Sequence, residues 1–172
     1  MSELRRYYWD SSVFCSYFNK EKNRTDIVSD LLKDALAGKS EILTSSFTLV
    51  EVLKLKDGTP ITQSKEQMLE DFFEYPFIKI VNAERGICER ARQFVWKHGM
   101  KPKDAVHMAT AEFANKIVTI NDLFSWDGDF IKLNGKIDGI QFSLSSPYMK
   151  QALLKLDDAS SENGPSSGPD SN

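Results

Sequence analysis

Residues 7–14 read YYWDSSVF. Three successive aromatic residues, Tyr7, Tyr8 and Trp9, suit a short buried strand; an acid, Asp10, follows at once, and Val13 to Phe18 opens a helical pattern. Working outward, the same alternation recurs. Ile27, Leu31, Leu32, Ala35 and Leu36 fall at helical spacing until Gly38 stops them. Ile42 and Leu43 form a second apolar run, and Ser45 and Ser46 are candidate caps for a helix over residues 47–56. Asp57, Gly58, Thr59 and Pro60 signal a turn, and further helices are predicted over residues 64–73, 87–99 and 104–117. Residues 77–81, 123–126 and 140–142 are the remaining strand candidates, and a short helix is predicted after Pro147. Short strands alternating with longer helices predict an α/β chain: a three-layer sandwich whose central, mostly parallel sheet of four or five strands carries helices on both faces. In such a sheet the ligand crevice lies beyond the carboxyl ends of the strands, where strand order reverses. The sequence has neither a dinucleotide-binding glycine fingerprint nor a Walker-type phosphate loop.

The 172 residues are 41% hydrophobic and 27% charged, enough apolar material for one ordinary domain with its own core. No apolar run approaches the roughly 20 residues of a membrane span, and the start, MSELRRYYWD, lacks the apolar stretch of a secretory leader. A cytoplasmic protein is expected. Cys15 and Cys88 make neither a disulfide framework nor a metal knuckle, and both lie in apolar helical patterns that predict reduced, buried thiols. Residues 157–172 are Asp, Ser, Glu, Asn, Gly and Pro with one Ala, a composition that cannot offset its ordering entropy. They are expected to form a disordered acidic tail beyond a domain at residues 1–156. The tail holds four acids and no base, so the net charge of −3 becomes 21 acids against 22 bases on the body. A near-neutral body excludes a purely electrostatic nucleic-acid binder and leaves room for an acidic cleft with a basic rim.

Several acids occupy unusual places. Asp10 ends an apolar strand, where an ionised carboxylate is costly unless compensated; capping the next helix with Ser11 and Ser12 is the competing reading. Glu51 lies in FTLVEVLKL, apolar nearly all round and therefore predicted to be buried, which would demand a cation or metal partner for the acid. Asp104 opens the helix in KPKDAVHMATA, where the macrodipole favours an acid in any case. Asp127 and Asp129, in FSWDGDF, repeat the pattern of a strand followed by an acid, which also suits a simple turn. Together these acids can converge at one carboxyl edge. Four or five carboxylates without histidine or cysteine suit Mg²⁺ or Mn²⁺, ions that serve phosphoryl chemistry.

The segments YYWDSSVF, SSFTLVEV, KPKDAVHMATA and FSWDGDF resemble the four acidic motifs of the PIN-domain ribonucleases, in particular the VapC toxins of toxin-antitoxin pairs. The resemblance spans about residues 7–147. It implies that Asp10, Glu51, Asp104 and Asp127 are metal-binding catalytic acids, with Asp129 as a fifth ligand and Ser12 and Ser125 as supporting residues. His107 matches a frequent family position and reads as a structural hydrogen-bonding group rather than a ligand. An alternative alignment treats residues 117–120 as a strand and makes Asp122 the fourth acid; Asp127 is preferred because Asn121 and Asp122 make the better break.

The resemblance further implies Mg²⁺- or Mn²⁺-dependent hydrolysis of RNA to 5′-phosphate and 3′-hydroxyl ends, a homodimer, and a small antitoxin that occludes the cleft. Lys20, Lys22 and Arg24, and Lys97, Lys101 and Lys103, are candidate rim groups for substrate phosphates. Setting aside the tail and the five site acids leaves 16 acids against 22 bases, a surplus compatible with that rim. The alternatives are a stand-alone PIN nuclease for RNA processing or DNA, and a non-catalytic α/β interaction module.

Overall fold

The computed structural model describes residues 4–52 and 60–148. Five strands, β1 (Arg5–Trp9), β2 (Ser40–Ser45), β3 (Ile78–Val81), β4 (Asp122–Phe124) and β5 (Ser143–Ser145), form one sheet in the order β3-β2-β1-β4-β5. Every pairing is parallel, so the expected mostly parallel sheet is wholly so. Parallel neighbours need crossovers, and the helices supply them. These are α1 (Ser11–Phe18), α2 (Thr25–Leu36), α3 (Phe47–Glu51), α4 (Gln63–Phe73), α5 (Arg85–His98), α6 (Pro102–Asn115) and α7 (Gly128–Ile131).

Side chains alternate across the sheet and separate two cores. Tyr7, Trp9, Ile42, Ile78 and Phe124 meet α1, α2 and α4 through Val13, Phe14, Val28, Leu31, Leu69 and Phe73. Tyr8, Leu43, Leu123 and Leu144 face the other way, onto Phe94 of α5 and Ala105, Met108 and Ala109 of α6. The sandwich therefore has three layers. Strand β1 is central, with β2 and β3 to one side and β4 and β5 to the other, so strand order reverses between β1 and β4. Gly99 ends α5 with φ of 64°, the left-handed conformation that a side chain resists.

Several expectations are corrected. The last strand is Ser143–Ser145, not residues 140–142. Phe142 and Ile137 enter the core from irregular chain, while the polar SLS segment makes the edge ladder with β4. Strand β4 starts one residue earlier than expected and ends at Phe124, so Ser125 and Trp126 lie beyond it. Helix α6 begins at Pro102 and ends at Asn115; Ile117, expected on its buried face, is 70% exposed, and the core is filled by a narrow alanine-rich stripe and Ile120. Helix α3 is not buried all round, because Leu49 and Val50 face outward. Cys88 is exposed and Cys15 half-buried. Apolar periodicity tells which residues share a face but not whether anything covers it. The continuation of α3 over residues 53–56, most of the helix after Pro147, and the acidic tail lie outside the described residues. Among the described residues no helix is long and apolar enough to cross a membrane.

Candidate active site

The switch point between β1 and β4 carries the first acid. Asp10 follows Trp9, its N–H donates to the Phe124 carbonyl at 3.1 Å, and its side chain is buried. One carboxylate oxygen caps α1 by accepting from Ser12 N (2.9 Å), Val13 N (3.3 Å) and Ser12 Oγ (2.5 Å). The other accepts from Ser125 Oγ at 2.5 Å, a contact between residues 115 apart in sequence. Capping and site membership, which the sequence left as rival readings, are thus compatible. Burial pushes the Asp10 carboxyl above the usual range, although the His107 charge and the hydrogen bonds from Ser12, Ser125 and Val13 oppose the rise.

Ser12 and Ser125 also tie the two strand ends together. Ser12 Oγ accepts from Trp126 N (2.9 Å), and Ser125 Oγ accepts from Asp127 N (3.0 Å). Asp127 therefore stands beside Asp10 at the carboxyl edge. Asp122, the rival fourth acid, opens β4 and pairs with Tyr7 at the middle of β1, two residues short of the carboxyl end of its strand.

Asp104 lies on the first turn of α6 and is buried, yet no hydrogen-bond donor among the described residues reaches its carboxylate. Burial raises its pKa; Asp127 and Asp10 push the same way, and Lys103 and Lys101 push against them. The net upward shift means that desolvation and like charge outweigh the two lysine charges here.

Glu51 ends α3 and is held by a relay from the core. His107 Nε2 lies 2.9 Å from a Glu51 oxygen, and His107 Nδ1 lies 3.0 Å from the Tyr8 hydroxyl. A carboxylate only accepts, so Nε2 donates to Glu51, and Nδ1 faces the Tyr8 hydroxyl. Burial pushes the Glu51 carboxyl upward, but hydrogen bonds from His107 and Ser11 and the charges of His107 and Lys103 prevail, and the net shift is downward. His107 is the hydrogen-bonding group expected; that its partner is a candidate site acid 56 residues away has no signal in the sequence. Replacing His107 with Ala takes one hydrogen bond from a buried phenol and one from a half-buried carboxylate, and leaves a cavity where a fully buried ring stood. A loss of about 2–4 kcal/mol in urea unfolding is expected.

Asp127 caps α7 with one oxygen, accepting from Asp129 N at 2.9 Å, and pairs through the other with Lys101 Nζ at 2.9 Å. The lysine contact holds its pKa below the usual range. Asp129 is mostly exposed and pairs with Lys132 at 3.0 Å, so it stays at the rim instead of joining Asp10 and Asp104. Among the proposed rim cations, Arg24 is already engaged: it pairs with Glu21 and lies 4.7 Å over the Trp126 ring. The Cys15 thiol is pushed up to about 11, by burial first and then by Glu51, Asp10 and Glu21, so it is no nucleophile near neutral pH.

A family model described as PIN domain matches residues 7–136. The chain belongs to the PIN-domain family. No curated protein matches the sequence at significance. Several solved structures share the fold of this PIN domain. VapC20 of Mycobacterium tuberculosis, described as a toxin that cleaves the sarcin-ricin loop, superposes with a TM-score of 0.54 at 18% identity, over 72% of this chain and 92% of that one. A toxin-antitoxin complex from Klebsiella pneumoniae gives 0.55 at 20% identity, over 83% and 98%. VapBC2 from Rickettsia felis, bound to a DNA fragment from its promoter, gives 0.58 at 17% identity, over 82% and 98%.

Asp10 and Asp104 suit the divalent ion that PIN-domain nucleases use: both offer hard oxygens, both are raised by burial, and Asp104 has no hydrogen-bond donor among the described residues. As the side chains stand, no three Asp, Glu, His or Cys groups among the described residues are placed to hold an ion together. His107 holds Glu51, Lys101 holds Asp127 and Lys132 holds Asp129.

Proposed function

We propose that this PIN domain is an endoribonuclease dependent on Mg²⁺ or Mn²⁺ and the toxin of a VapBC-type toxin-antitoxin pair. The observation that carries the reading is Asp104, buried without a hydrogen-bond donor among the described residues and electrostatically coupled to Asp10 and Asp127 beside the strand-order reversal. Asp10, Asp104, Asp127 and, once released from His107, Glu51 are the residues that would hold metal. A bound ion supplies a water of lowered pKa and stabilises charge on the departing oxygen.

The chain's own groups prepare that chemistry. Ser12 and Ser125 fix the rotamer of Asp10, while the Tyr8–His107 pair fixes Glu51. Lys103, exposed at the start of α6, is a cation available to phosphate at the mouth, and Lys101 would join it once released from Asp127. An antitoxin partner belongs to the same proposal, supported by the fold shared with toxin-antitoxin complexes; a homodimer and a cytoplasmic location are proposed with it.

Incubating the protein with labelled RNA tests the activity. Cleavage to 5′-phosphate ends is expected with Mg²⁺ or Mn²⁺, and none with EDTA. Cleavage that persists in EDTA removes the metal-dependent mechanism. No cleavage of any RNA with either ion favours a binding module.

A further inference from the structure

The Lys101 ammonium lies 2.9 Å from the one Asp127 oxygen that is not capping α7. The raised Lys101 pKa is due first to Asp127, with further contributions from Asp104 and Asp129, so this single cation serves three acids of the cluster. Its backbone is fixed. Lys101 precedes Pro102, a position that confines it to the extended conformation seen (φ −61°, ψ 140°), and its carbonyl accepts the Ala105 N–H at 3.0 Å. Its side chain is 55% exposed and free to swing. The result is an anchored residue with a movable charge standing where the acids need one.

We propose that Lys101 is a built-in counter-ion of the acidic centre, which competes with the divalent cation for Asp127 and, once displaced, turns to the substrate phosphate. The proposal rests on the nuclease reading and adds a specific antagonist to it. An ammonium and a divalent ion drawn to the same Asp127 oxygen repel each other, so each weakens the hold of the other. Removing the ammonium therefore strengthens the metal site. The same removal weakens the grip on RNA, because the displaced ammonium is a phosphate contact. Lys101 is a positioning residue in the metal-free protein and acts on substrate only after release.

Calorimetric titration of the metal-free full chain with MnCl₂ tests it. Lys101→Met is expected to bind Mn²⁺ about 3- to 10-fold more tightly than wild type, whereas Lys101→Arg, which keeps the charge, binds as wild type does. In steady-state assays Lys101→Met needs less Mn²⁺ for half-activation and shows a raised KM for RNA. Lys101→Gln replaces the Met variant if circular dichroism finds the latter unfolded. Equal or weaker Mn²⁺ binding without the ammonium overturns the proposal, as does the absence of Mn²⁺ binding in every variant. The two readings separate cleanly. Tighter Mn²⁺ binding by a protein that cuts no RNA keeps the counter-ion and removes the nuclease; metal-dependent RNA cleavage with unchanged Mn²⁺ affinity does the reverse.

Discussion

Replacing Asp10 with Asn is expected to lower RNA cleavage by about 10³-fold or more while the protein stays folded. Asp10 is the acid on which the site converges: it ends the central strand, and both serines that link β1 to β4 donate to it. Asn keeps one oxygen to cap α1, so the helix start survives. What disappears is the negative charge, which burial already disfavours. Charge-assisted hydrogen bonds from Ser12 and Ser125 are weakened at the same time. These changes oppose one another, and a melting temperature within a few degrees of wild type is expected. Cleavage assays with Mn²⁺, read beside thermal melts, check both halves. Activity that survives the substitution would falsify a role for Asp10 in holding metal.

Asp104→Asn separates stability from function in the opposite sense. In EDTA at neutral pH it is expected to melt about 2–5 °C above wild type, with cleavage lost to a similar degree as for Asp10→Asn. Its folded pKa is raised, mainly by burial and then by the charges of Asp127 and Asp10. The native state thus holds this proton at a higher pH than the unfolded chain does, and ionising it costs stability as pH rises through that interval. The cost is fully present at neutral pH and disappears on acidification below the ordinary carboxyl range. The melting advantage of the Asn variant should shrink accordingly as pH falls. Adding Mn²⁺ should reverse the order, because only wild type gains stability by binding the ion. An Asn variant that melts below wild type in EDTA, or gains as much from Mn²⁺, removes Asp104 from the metal site.

The inverse relation has a physical source. The site gathers carboxylates that the fold must desolvate; among the described residues each has a hydrogen-bonded cation or donor except Asp104, which is eased only by the charges of Lys103 and Lys101. Lys101 on Asp127, His107 on Glu51 and the serines on Asp10 are the compensations. Binding a divalent ion requires giving up at least one of them, so affinity for metal is set by how readily those contacts yield.

Much of this was legible in the chain itself. The run YYWDSSVF determined a strand, an acid at its end and a helix start, because a strand covered on both faces reads as a short continuous apolar run and a helix needs a cap. Repetition of strand and helix lengths determined a parallel α/β sheet, and the ordered acidic segments pointed to its family. Tertiary structure decided the rest. Register placed Asp122 beside Tyr7, inside the sheet, and left Asp127 beyond the carboxyl edge, a distinction no local pattern contains. Packing exposed Leu49, Val50, Ile117 and Cys88, since periodicity groups residues without stating what covers them. The contacts that set the charge of the site join Lys101 to Asp127 across 26 residues and His107 to Glu51 across 56. Electrostatics depends on distance in space, and only the folded chain fixes that distance.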